Sequence, residues 1–481
     1  MAVEANEHPH AIMIPYPFQG HVIPFVHLAM KLASKGFTIT FINTDYIHHQ
    51  ISKASQPPNT LTSDDDIFVQ ARKSGLDIRY ATVTDGLPLG FDRSLNHDQY
   101  QDCLLQVFSA HIDELVGKMV ASSDPPVKCL IADTFYVWPS KIAEMYNLVN
   151  ISFWTEPALV LTLYYHLDLL RENGHFASDD NRKDTIDYIP GVKAIQPTDL
   201  MSYLQATDIT TVVHRIIYKA FEDVKRADFI LCNTVQELEQ ETISALHQKQ
   251  PTYAIGFVFP TDFTKSNNVA TSLWSESDCT EWLKAKPNGS VLYVSFGSYA
   301  HTSKHDIVEI AYGLLHSGVN FIWVLRPDII SSNDTDFLPV GFEDGVKDRG
   351  LIVPWCHQLG VISQPSIGGF LTHCGWNSIL ESIWCSVPLI CFPLLTDQFT
   401  NRKFVVDDWR IGINLCDRES ITRDEVKERV NHLMSKSTSD ELRKEIKKVR
   451  RTLENALSID GSSEKNFNQF LVDVKAEIRR R

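Results

Sequence analysis

AIMIPYPFQGHVIPFVHLAMKLASKGFTITFIN, residues 11–43, is the stretch that decides the architecture. Residues 11–16 form a short apolar run, and Pro17 and Gly20 punctuate the turn that follows. Residues 22–35 repeat apolar side chains at helical spacing through Phe25, Leu28, Ala29 and Leu32, with Pro24 tolerable in the first turn and Gly36 as a stop. Residues 37–43 then read as a second strand. Strand, helix and strand in that order make a βαβ unit, which predicts parallel strands.

The same alternation extends in both directions. Residues 127–133, 138–146 and 148–154 predict a second strand–helix–strand unit, followed by a strand at 228–234 and an acidic helix from Gln236. The pattern breaks over residues 257–278, where 264–268 are polar. It resumes with strands at 290–296, 321–325, 350–354, 367–372, 388–393 and 411–415 and a helix at 304–316. The expected organisation is therefore α/β with two doubly wound domains, residues 1–256 and 279–460. Residues 257–278 link them, and a C-terminal helix at 461–481 is available to pack back on the first domain. The basic stretch 444–451 reads as a solvated helix face. In doubly wound sheets ligands bind beyond the carboxyl ends of the strands, so residues just after strands are the first candidates for function.

Bulk properties narrow the function. At 481 residues, 43% of them hydrophobic, the chain is too long for one ordinary core and apolar enough to fold. A net charge of −15 and a pI near 5.6 argue against nucleic acid as a partner, so any nucleotide should sit at a local, preorganised site. The nine cysteines never form a CxxC pair, and several lie in apolar runs (Cys129, Cys232, Cys391), which suits buried thiols in a reducing compartment and a cytoplasmic location. The polar start MAVEANEHPH is no signal peptide, and no apolar stretch approaches the roughly 18 residues of a membrane span.

Residues 355–398 carry the densest chemistry. At their centre stands GGFLTHCGWNSILES, residues 368–382. A buried strand, Ile367–Thr372, runs into the turn His373-Cys374-Gly375, and a helix opens near Asn377. A helix N-terminus presents free N–H groups to an anion, and Asn377, Ser378 and His373 add side-chain donors, which suits a diphosphate. Glu381 lies four residues beyond Asn377 on the same helix face, where a carboxylate can accept hydrogen bonds from both ribose hydroxyls.

With Trp355, Gln358, Gly368-Gly369-Phe370, the 373–378 run, Glu381-Ser382, Val387-Pro388 and Asp397-Gln398, this block resembles the donor-binding signature of plant UDP-dependent secondary-product glycosyltransferases. The resemblance continues through residues 294–298, 233–234, 237–239 and Gly20-His21, and so covers most of the chain. It implies two facing Rossmann-like domains of GT-B type with a cleft between them. It also implies roles. Trp355 would stack on uracil. Gln358 and Glu381 would hold the ribose. Ser298, His373, Asn377 and Ser378 would hold the diphosphate. Asp397 and Gln398 would bind the sugar hydroxyls, and Trp376 would wall the sugar pocket. Gln398, where the family has Gln for glucose and often His for galactose, implies UDP-glucose. Three residues depart from the family pattern. His357 stands for Pro and Gln364 for His, both outside the expected contacts. Ser386 stands for a Gly that would hold a positive φ.

On the acceptor side, His21 at the end of the first strand is a suitable base for an acceptor hydroxyl, and Asp133 at the end of another strand can orient it and stabilise the imidazolium. Both match the family's catalytic pair. The expected reaction is inverting transfer of glucose from UDP-glucose to a hydroxyl (or carboxyl) of a small hydrophobic acceptor, giving a β-glucoside. The acceptor pocket would use Tyr16, Phe18, Phe135 and Trp154. No metal or other cofactor is expected, because the Asp-x-Asp matches at 64–66 and 334–336 lie in polar loops. A monomer is expected. A nicotinamide oxidoreductase would need a Gly-x-Gly turn that is absent. An acyltransferase would rest on His175 and Asp179 in a polar loop. A non-catalytic UDP-sugar-binding protein is the alternative, against which His21 and Asp133 argue.

Overall fold

A computed structural model describes residues 8–54, 66–178, 181–258, 271–330, 338–416 and 420–481. Its first sheet has seven strands: β1 (His10–Ile14), β2 (Thr38–Thr44), β3 (Ile78–Val83), β4 (Val127–Asp133), β5 (Val149–Trp154), β6 (Phe229–Cys232) and β7 (Thr252–Ala254). They pair in the order 3-2-1-4-5-6-7, all parallel. The second sheet has six: β8 (Val291–Ser295), β9 (Asn320–Val324), β10 (Gly350–Val353), β11 (Ile367–Thr372), β12 (Leu389–Cys391) and β13 (Gly412–Asn414), in the order 10-9-8-11-12-13, again all parallel.

Both sheets are doubly wound. Their central strands are buried on both faces and so read as largely continuous apolar runs rather than alternating ones. In each, the order reverses at one point, between β1 and β4 in the first and between β8 and β11 in the second. Those reversal points open the crevices in which such sheets hold ligands.

The helix after β1 spans Gln19–Ser34 and so begins three residues earlier than the apolar spacing predicts. Pro24 is therefore inside the helix rather than in its first turn, and His21 belongs to the helix's first turn, not to a strand end. The acidic segment after β6 starts as a 3-10 turn, Gln236–Leu238, before the α-helix Gln240–Lys249. The polar stretch 264–268 and residues 334–336 fall outside the described residues. So does Asp64, while Asp66 accepts the Phe68 N–H at 2.8 Å and pairs with Arg72.

The last helix, Ser462–Arg480, lies on the first sheet although the chain reaches it from the second. Phe467, Phe470, Leu471 and Val474 are buried there with residues of β1, β2 and the Gln19–Ser34 helix, each contributing roughly 1.5–3 kcal/mol. Polar contacts fix its register: Asn466 Nδ2 donates to the Ala254 carbonyl at 3.0 Å, and Tyr253 donates to Asp473 at 2.6 Å.

Candidate active site

Both reversal points face one cavity of about 1180 Å³. His21 lines it on the side of the first sheet, with Asp133 behind it, and Ser298 and His373 line it on the side of the second. His21 Nδ1 lies 2.8 Å from Asp133 Oδ2. Asp133 is 1% exposed and His21 15%, so the carboxylate is sealed while the imidazole keeps an open edge. The other carboxylate oxygen of Asp133 accepts the Phe135 N–H at 3.0 Å, which locks the group at the end of β4. In the tautomer this pairing favours, Nδ1–H donates to Asp133 and Nε2 carries the free lone pair. Thr155 Oγ1 stands 3.1 Å from the same Nδ1, a contact absent from the sequence reading. Thr155 directly follows β5, so the rule that selected Asp133 also points to it.

Asn377 and Ser378 are the second and third residues of the helix Trp376–Cys385, capped by Gly375 in an extended conformation. Their helix N-terminus faces the cavity. His373 sits between Gly297 and Gly375, where an added Cβ would meet its ring at 2.4 and 2.5 Å, so neither position admits a side chain without moving the imidazole. Burial, helped by the nearby Arg326 charge, pushes His373 down to about 3 and leaves it uncharged, with its buried Nδ1 unpartnered. Gln358 Nε2 donates to Glu381 Oε2 at 2.8 Å and to Ser378 Oγ at 3.0 Å. Burial raises Glu381 to about 7, and the Gln358 hydrogen bond offsets part of that rise.

Trp355 lines the cavity with one face of its indole covered by Trp274, ring centroids 4.9 Å apart. Trp376 also lines it, and its Nε1–H donates across the domains to the Asn233 carbonyl at 2.9 Å. Gln398 Oε1 accepts the N–H groups of Leu394 and Leu395 at 2.8 and 2.9 Å, so the amide NH₂ is the end left for a ligand. Asp397 accepts from Asn401 and Thr396, and burial raises its carboxyl.

Tyr16, Phe18 and Phe135 line the acceptor side. Trp154 does not. It is 1% exposed, packs behind Phe135 with ring centroids 5.3 Å apart, and donates its Nε1–H to Pro157. Its strand points it into the core, and Tyr164, Tyr203 and Tyr299 supply cavity rings instead. Of the departures, Ser386 does hold a positive φ, +56°, as the left-handed cap of the Trp376–Cys385 helix. Gln364 bonds the Gly360 carbonyl away from the cavity, whereas His357, expected outside the contacts, is on the cavity rim.

Two parallel sheets facing one cavity, each offering its reversal point, define the GT-B arrangement. Residues 204–451 match the family model described as "UDP-glucoronosyl and UDP-glucosyl transferase". The chain is 66% identical to UDP-glycosyltransferase 86A1 of Arabidopsis thaliana over 98% of its own length and 95% of that protein's. It is 35% identical to 7-deoxyloganetin glucosyltransferase of Gardenia jasminoides over 98% and 99%. A solved UDP-glucose:anthocyanidin 3-O-glucosyltransferase in complex with UDP superimposes with a TM-score of 0.81 at 25% identity, covering 98% of this chain and all of that one. The chain belongs to the plant UDP-glycosyltransferases and is a glycosyltransferase enzyme. No helix among the described residues is long and apolar enough to cross a membrane.

Proposed function

We propose that this enzyme transfers glucose from UDP-glucose to a hydroxyl of a small hydrophobic acceptor, with inversion, to give a β-glucoside. The observation that carries the reading is the His21–Asp133 pair, held at 2.8 Å on the edge of a cavity that also contains Asn377, Ser378, Glu381 and Gln398. His21 Nε2 takes the acceptor's proton. The acceptor oxygen bonds to the anomeric carbon from the face opposite UDP as the bond to the β-phosphate oxygen breaks, and its electron pair leaves with UDP. Asp133 stabilises the imidazolium that forms. The N-terminus of the Trp376–Cys385 helix, with Asn377, Ser378 and Ser298, meets the charge developing on the diphosphate. This scheme needs no resident metal, since those donors do the work of a cation on the leaving group. Glucosyl transfer by the Gardenia relative and the UDP-glucose named for the solved neighbour support the donor assignment. Nine cysteines with no disulfide among the described residues support a reducing, cytoplasmic setting, and a monomer is the simplest state for a cavity built wholly from one chain.

The test is incubation of the purified protein with UDP-glucose and a panel of phenols and alcohols, reading UDP release and the anomeric proton coupling of the product. A β-glucoside supports the reading. UDP-glucose binding without transfer to any acceptor would favour a non-catalytic binding protein instead.

A further inference from the structure

Glu156 is a cavity carboxyl that neither the dyad nor the donor side uses. It follows Thr155 beyond the end of β5 and lines the cavity. Asp133 and Asp397 both act on it as like charges, and it in turn acts on the ring of Tyr164. Its surroundings act on it through burial and those two acids, and no hydrogen bond from a described residue relieves it. The carboxyl is thereby held well above the usual carboxylate range.

The rest of that end of the cavity lacks an opposite charge. Among the described lining residues the one guanidinium or ammonium is Arg450, which stands beyond Glu381 against Trp384 at the nucleotide end. On the acceptor side His27 is pushed down to about 4 by burial and His97 is lowered too, which leaves His21 as the base. Phe135, Tyr164 and Tyr203 line the same cavity, with the ring centroids of Phe135 and Tyr164 6.3 Å apart.

An acid without a partner in a cavity lined by aromatic rings has a chemical complement. Ring quadrupoles attract a cation, and a carboxylate gives it a charge-assisted hydrogen bond. A neutral hydrocarbon would leave Glu156 buried and unpaired, and a carboxylate acceptor would add an anion to Asp133 and Asp397. We propose that Glu156 is the acceptor-specificity residue of this cavity, and that the preferred acceptors carry a protonated amine besides the hydroxyl that receives the sugar. The inference rests on the reading that this half of the cavity takes the acceptor. On binding, the ammonium supplies the missing positive charge, any proton carried by Glu156 passes to solvent, and the ion pair forms inside the cavity.

The experiment compares two probes of nearly equal shape, 4-(dimethylaminomethyl)benzyl alcohol, cationic at neutral pH, and 4-isobutylbenzyl alcohol. Their Kd values are measured by titration with UDP present, in wild type, Glu156→Gln and Glu156→Asp, with UDP affinity of each variant as the check on folding. The expected result is wild-type preference for the amine by roughly tenfold or more, lost in Glu156→Gln and partly kept in Glu156→Asp. Proton release on amine binding, read by calorimetry in buffers of different ionisation enthalpy, should vanish in Glu156→Gln. Equal affinities in wild type, or a preference that survives Glu156→Gln, would overturn the inference. So would a Glu156→Gln enzyme whose KM for UDP-glucose rises while its acceptor preference stays, because Glu156 would then serve the sugar. These are binding measurements, so a failure of glucosyl transfer itself would strike the proposed reaction without altering them.

Discussion

Asn377 of the second domain donates its Nδ2–H to the backbone carbonyl of Gly20 in the first, at 2.9 Å across the cleft. The reason lies four residues along the Gln19–Ser34 helix. Pro24 has no N–H, so the carbonyl of Gly20 has no intrahelical donor and is free to accept one from outside. A residue expected on the diphosphate is thereby tied to the residue next to the base. Asn377→Ala should therefore raise KM for UDP-glucose and lower kcat together, with kcat/KM falling by roughly tenfold or more, as for loss of a hydrogen bond to a charged group. Steady-state kinetics separates the two parameters, and a change confined to KM would mean that the cross-cleft bond has no part in turnover.

The dyad predicts a different pattern. His21→Ala should reduce kcat on an alcohol acceptor by about 10²–10⁴-fold with UDP affinity nearly unchanged. Asp133→Asn should cost less on an acidic phenol than on an alcohol, because a phenol ionises with less help. Rates across acceptors of graded pKa at fixed pH check this. Full activity of His21→Ala on an alcohol would move the base elsewhere.

Glu381 gives a pH signature. Ribose hydroxyls donate, so the bound form needs the carboxylate, yet burial raises the free carboxyl to about 7. Below that value a proton must leave before binding. Affinity for UDP-glucose should fall by up to about tenfold per pH unit below 7 and level off above it. Glu381→Gln should bind more weakly at pH 8 and lose the slope. Calorimetric titration from pH 5 to 8 reads both.

Gln398 predicts the donor. Two backbone N–H groups hold its carbonyl, which presents the NH₂ to a sugar hydroxyl. UDP-glucose should outcompete UDP-galactose at equal concentration, and Gln398→His should narrow the margin. A clear excess of galactoside from the wild type would refute the assignment.

Ser386 predicts stability rather than chemistry. Its φ of +56° is strained for a residue with a Cβ, though its carbonyl accepts from Arg443 at 2.8 Å and its hydroxyl from Arg450 at 3.3 Å. Ser386→Gly relieves the strain, keeps the Arg443 bond and loses the weaker one, for a net gain of up to about 1 kcal/mol. Thermal unfolding should show a modest rise in Tm, with UDP affinity unaltered.

The strands were legible because parallel strands buried on both faces announce themselves as apolar runs, as residues 129–132 and 367–371 do. The donor side was legible because its residues share one local strand–turn–helix, so spacing along the chain translates into spacing in the cavity. Three things were not. The start of the Gln19–Ser34 helix was displaced by reading Pro24 as a first-turn marker, which also put His21 on the wrong element. Trp154 was assigned to the pocket because aromaticity is visible in a sequence and strand facing is not. Thr155, Glu156 and Tyr299 converge on the cavity from two domains, and that kind of meeting has no local signature.

The position of the Ser462–Arg480 helix bears on how the protein is made. Phe467 and Phe470, translated after both sheets, complete the packing around strands translated before them. The amino-terminal lobe therefore cannot close its core while the polypeptide is still emerging from the ribosome, although N-terminal domains ordinarily fold as they emerge. It waits, partly exposed, for the second lobe to be made and for the Ser462–Arg480 helix to clear the exit tunnel. Completion of the first lobe is thus tied to synthesis of the second, and a truncation that removes only the Ser462–Arg480 helix would injure a lobe whose strands it leaves intact.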